Sequence, residues 1–112
     1  MKDSFIKLAL EYWKLCKLTE ELIIKSDFVE QGKYNRKLLW FNDQLETALK
    51  ELGMRFVNLE NQIFDSGMPI KALNIEEFSE KNNLIISNMI EPIVMNGDIL
   101  EKTGTVILEK VN

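Results

Sequence analysis

The sequence predicts an α+β protein, a hairpin of long helices that forms a dimeric helical bundle, followed by a small antiparallel β domain. Three observations carry this prediction. Leu45, Leu49, Leu52, Phe56, Leu59 and Ile63 step by alternating fours and threes with no proline between them. That is the spacing of a helix packed along one seam. From Leu84 to Val111, short runs rich in isoleucine and valine lie between turn residues, which is a strand pattern. Between the two patterns stand Asp65-Ser66-Gly67 and Pro69, residues that stop a helix.

Ser4 opens the first helix as its cap, with Asp3 against the positive end, and the helix runs over about 4–25. It carries two adjacent apolar stripes. One is Phe5, Leu8, Tyr12, Leu15 and Leu22; the other is Ile6, Ala9, Leu10, Trp13, Cys16 and Ile23. Two stripes make a face wider than one partner helix covers. They point to one seam within the chain and a second across a dimer. Gly32 closes the connection, and the second helix occupies about 34–64, roughly 45 Å at 1.5 Å per residue. Gly53 falls inside that helix, at a cost of roughly 1 kcal/mol relative to alanine.

The linker spans about 67–83. Met68 to Leu73 reads as extended chain, and Asn74 caps a short turn through Phe78 with Glu77 as capping-box partner. The β domain, 84–112, holds three or so strands. Asn96-Gly97 is the strongest hairpin signal in the chain. A turn centred there pairs Met95 with Asp98 and Ile93 with Leu100. Pro92 belongs at an edge or a kink, and Thr103-Gly104 supplies a second reversal. The helical dimerisation region is then 1–66.

A chain of 112 residues, 46% hydrophobic, is an ordinary folded domain by size and composition. So short a chain with elongated helices gains from burying surface against a second copy. Its net charge of −4 argues against nucleic acid, because phosphate binding needs clustered lysine and arginine. Lys33, Arg36 and Lys37 are a solvated helix start. Histidine is absent, which removes the commonest general base and most zinc and iron sites. The acidic groups at Glu20-Glu21 and Glu76-Glu77-Glu80 read as solvated faces rather than metal ligands. No glycine-rich phosphate loop is present. These features predict a binding protein without cofactor, metal or catalytic residues.

The lone Cys16 suits a reducing compartment, the first residues lack a signal-peptide pattern, and no apolar run is membrane-length. The expectation is a cytoplasmic protein. The dimer interface is assigned to Leu45, Leu49, Leu52, Phe56, Leu59 and Ile63. A partner-binding surface is assigned to Met89, Ile93, Met95, Asn96 and Asp98 around the hairpin.

Three segments resemble a known family. Gly67-Met68-Pro69-Ile70-Lys71-Ala72-Leu73 with Ile75-Glu76-Glu77-Phe78 is similar to the linker into the β domain of GrpE-type nucleotide exchange factors. Met89 to Leu100 resembles that family's closing hairpin, and Thr105-Val106-Ile107-Leu108 its last strand. Pro92-Ile93 stands where the family has Gly-Tyr, and Glu101-Lys102-Thr103 replaces its Arg-Pro-Ala. The resemblance implies a diverged homodimeric cochaperone. Its β domain would bind the ATPase domain of a DnaK-type chaperone and promote nucleotide release. The alternative is a helical adaptor or scaffold whose β tail binds an unrelated protein.

Overall fold

The computed structural model describes residues 2–79 and 83–111, which form two compact units, Met1–Gly53 and Met54–Asn112. The first holds two helices and the second six short strands, so the chain is α+β.

Helix α1 covers Lys2–Ile24 and α2 covers Phe28–Glu51. A connection this short forces the helices to run antiparallel. Its residues close it tightly. Asp27 caps α2 by accepting from the Glu30 amide at 3.0 Å. Gln31 reaches back from α2, donating to the Ile24 and Ser26 carbonyls at 3.0 and 2.9 Å. The Ser26 hydroxyl donates to the Ile23 carbonyl. Carbonyls left over at the end of α1 thereby find donors. Cys16, Ile23 and Leu38 form the buried centre of the hairpin, with Tyr12 packed against them.

Helix α2 differs from its predicted span of 34–64 at both ends. It starts earlier because Asp27 caps it, accepting from the Glu30 amide, and Gly32 is accommodated inside the first turns. It stops earlier because Gly53 adopts φ +76°, with its amide bonded to the Lys50 carbonyl at 2.9 Å. Gly53 is therefore a helix terminator in the left-handed conformation, not a tolerated interior residue. At the other end, Ser4 lies inside α1 rather than at its cap. Gly53→Ala should lower the stability of the helical unit by about 1–2 kcal/mol, since alanine resists that conformation. Trp13 and Trp40 both lie in this unit, so tryptophan fluorescence during urea unfolding measures the loss.

The β unit contains β1 (Met54–Val57), β2 (Ile70–Ala72), β3 (Leu84–Glu91), β4 (Ile93–Asn96), β5 (Ile99–Lys102) and β6 (Gly104–Lys110). They build two three-stranded sheets, β1-β4-β5 and β2-β6-β3, where about three strands were expected. The first sheet is antiparallel throughout; in the second, β2 runs parallel to β6. The chain changes sheet three times, between β1 and β2, between β3 and β4, and between β5 and β6. Pro92 is fully buried between β3 and β4 and has no N–H to give to a ladder, so the strand breaks there. Thr103 carries the chain back, so Thr103-Gly104 is a crossing between sheets rather than a hairpin.

Leu84, Ile86, Met89, Ile93, Val106 and Leu108 form the core of this unit. Gly104 completes it by leaving room. A Cβ at that position would lie 2.7 Å from Met89 Cε, 3.0 Å from Ile93 Cγ1 and 3.1 Å from the Glu91 carbonyl.

Segments assigned to helix and linker contribute strongly here. The stretch 58–64 covers the outer edge of β3. The Asn61 amide donates to the Ile86 carbonyl, the Ile86 amide to the Gln62 carbonyl, and the Phe64 amide to the Leu84 carbonyl. Asn61 takes φ 71° to make that turn, a conformation asparagine tolerates. Asn74 does not cap the 3₁₀ turn Ile75–Glu77 with its side chain. Its carboxamide instead pairs with Leu108, donating to the carbonyl and accepting from the amide at 2.9 Å each. A side chain thus continues the β2–β6 ladder past the end of β2.

Candidate functional site

Both units expose apolar side chains. In the β unit these include Ile63, Leu73 and Ile75 as well as Ile99 and Leu100 of the β4–β5 hairpin. Register runs Asn96↔Ile99, Met95↔Leu100 and Val94↔Lys102, leaving Glu101 as a bulge. The turn residues are therefore Gly97 and Asp98, one position later than the sequence pattern placed them. Gly97 has φ +60° and Asp98 does not have positive φ, the pattern of a II′ turn with glycine at its first central position. The bulge is held by Asn96, whose Nδ2 donates to Glu101 Oε1 at 3.2 Å. Beyond the turn, Ile99 and Leu100 are 66% and 44% exposed.

Of the residues assigned to partner binding, Met89 and Ile93 belong to the buried core and offer no surface. Met89 is further engaged: its amide donates to Glu60 Oε2 at 3.0 Å, and its sulfur accepts from the Leu59 amide at 3.4 Å. Met95 is half-buried against the same core, Asn96 is half-buried at the clasp, and Asp98 is exposed. Ile99 and Leu100 are exposed at the hairpin and lie outside the assigned set. Their signal is two apolar residues directly after a turn.

In the helical unit, Tyr12, Leu15, Leu22, Tyr34, Lys37 and Phe41 border a groove of ≈ 520 Å³ whose walls are almost wholly apolar. Cys16 lies in this groove. Burial pushes its thiol above the usual range, and Glu20 adds to this, while a hydrogen bond with Tyr12 opposes it. Burial likewise raises Tyr12, with Cys16 as the second cause. A thiol held protonated is a weak nucleophile, and Cys16 reads as packing.

The two stripes of α1 separate in large part, though Tyr12 of the first packs against the hairpin core. Ile6, Ala9, Leu10, Cys16 and Ile23 are buried, whereas Leu8, Leu15 and Leu22 are more than half exposed. On α2, Leu39, Trp40 and Phe41 are exposed as well.

The six residues assigned to one helical seam do not share a helix. Leu45 and Leu49 are in α2, Leu49 being buried; Leu52 is its C-cap; Phe56 is in β1. Leu59 packs beside the β core, and Ile63 forms an isolated bridge with Ile85. Their common spacing is a coincidence of helix and strand.

No helix among the described residues is long and apolar enough to cross a membrane. No group of three described carboxylates or thiols is placed to hold a metal ion. No family model, curated protein or solved structure matches the chain.

Proposed function

We propose that the chain is a GrpE-like cochaperone. It forms a homodimer through its helical hairpin and uses its β unit to bind the ATPase domain of a DnaK-type chaperone, promoting nucleotide release. The observation that carries this reading is the division of labour along the chain. A helical hairpin with a broad exposed apolar face precedes a compact β unit whose closing hairpin presents Ile99 and Leu100. That order agrees with the family resemblance of the linker, hairpin and last strand.

Nothing in the mechanism calls for a catalytic group. A protein that binds the open form of a nucleotide cleft more tightly than the closed form shifts the population toward release. The exposed stripe of α1 and the groove beside it are the proposed dimer seam, replacing the single run through Ile63. Leu49 is already covered within the protomer and cannot contribute contact area to a second copy.

The second reading, an adaptor or scaffold, draws on Glu101. It stands where the family has an arginine, and its carboxylate is committed to the Asn96 clasp. State-dependent binding separates the two. The first reading expects the chain to bind a nucleotide-free DnaK-type ATPase domain in calorimetry and to dissociate when ATP is added. Binding indifferent to nucleotide, or no binding, supports the adaptor instead.

A further inference from the structure

The chemistry of Asn96-Gly97 goes beyond setting a turn. It is the single asparagine followed by glycine in the sequence. Gly97 is exposed, and a Cβ placed on it would meet no atom within 4 Å beyond its chain neighbours, so the turn is open around its α-carbon. The β4–β5 ladder closes at Asn96↔Ile99, leaving Gly97 outside it. Glycine also permits the main-chain rotations that ring closure needs. The neighbouring Asn96 carboxamide is held at one end by Glu101, 3.2 Å from its nitrogen.

We propose that Asn96 is a self-modification site, converted in water to aspartate or isoaspartate, and that conversion opens the clasp on Glu101. The Gly97 nitrogen attacks Cγ of Asn96. A Cγ–N bond forms, the Cγ–Nδ2 bond breaks, and ammonia leaves with the proton from the Gly97 nitrogen. Water then opens the cyclic imide. Attack at Cγ gives aspartate; attack at the main-chain carbonyl carbon gives isoaspartate, with the chain continuing through Cγ. No oxidant or reductant takes part.

The product changes the hairpin in two ways. A carboxylate replaces the Nδ2 donor, so two like charges face each other where a hydrogen bond stood. Isoaspartate also lengthens the main chain at the end of β4, which displaces the Asn96↔Ile99 and Met95↔Leu100 pairs. This inference does not depend on the cochaperone reading.

The test incubates the folded full chain at mildly alkaline pH, then measures intact mass, maps peptides and records amide NMR spectra. Amide-to-acid conversion should localise to the peptide bearing Asn96. Asn96→Gln, aged in parallel, should stay unchanged there. The aged wild type should show displaced Met95 and Leu100 amides, and Asn96→Asp should reproduce the aspartate component. A folded chain that keeps its amide while urea-unfolded chain loses it overturns the proposal. So does conversion confined to other asparagines, or a converted chain whose Met95 and Leu100 amides stay in place.

Discussion

Gly104→Val should unfold the β unit while leaving the helical hairpin folded. Gly104 is buried at the point where the chain re-enters the second sheet, and its missing side chain is what lets β6 start there. The nearest obstruction, Met89 Cε at 2.7 Å, ends a flexible side chain and can swing aside. Ile93 Cγ1 at 3.0 Å and the Glu91 carbonyl at 3.1 Å leave the new atoms far less latitude. Gly104→Ala provides the graded case. Overpacking costs about 1–3 kcal/mol, less the fraction of a kcal/mol that alanine gains by restricting the unfolded chain. Valine adds two methyl groups to the same space. Amide dispersion in NMR spectra reports the β unit, and tryptophan fluorescence from Trp13 and Trp40 reports the helices. Wild-type stability in Gly104→Val would mean that the crossing is looser than its geometry indicates.

The second large effect concerns association. Leu22→Asp combined with Phe41→Asp should convert a dimer to monomers without unfolding the protomer. Leu22 is 59% exposed and Phe41 47% exposed within one chain, so folding depends little on either. In a dimer built on the groove they border, both become anchors. Losing the burial of two such side chains costs at least about 3 kcal/mol, or roughly two powers of ten in dissociation constant. Burying a carboxylate in their place costs more. Sedimentation equilibrium reads the outcome alongside circular dichroism. A wild-type chain that stays monomeric at micromolar concentrations rejects the seam, as does a double variant that still dimerises.

The fold class was legible because periodicity survives translation into structure where one element is long enough. Helix α1 shows this best: its two apolar stripes were read from spacing alone, and the second is largely buried while Leu8, Leu15 and Leu22 of the first are exposed. The boundaries of α2 were lost to competing signals. Gly32 looked like a stop and is helical; Gly53 looked tolerated and is the stop. A glycine reveals its role only through φ, which spacing does not encode. Phe56, Leu59 and Ile63 prolonged the heptad rhythm into β1 and the segment over β3, where burial follows sheet packing instead.

Long-range pairing was less legible still. Nothing near Ile70 announces that β2 runs parallel to β6, or that Asn74 extends that ladder through its side chain. Such pairings are decided by contacts distant in sequence. The candidate surface suffered from a one-residue error. Placing the turn at Asn96-Gly97 rather than Gly97-Asp98 set Leu100 opposite Ile93 instead of Met95, and the assigned surface residues Met89 and Ile93 are core.

On the proposed reading, this chain accelerates nucleotide release from a DnaK-type chaperone. The direct measurement is stopped-flow release of a fluorescent ADP analogue from the chaperone's ATPase domain, with and without the chain. Release should accelerate by about tenfold or more, as differential binding to the open cleft requires. Ile99→Asp with Leu100→Asp should abolish the acceleration while leaving the protein folded, because both side chains are exposed at the hairpin. Identical release rates for wild type, the double variant and buffer would contradict the claim and leave the adaptor reading in its place.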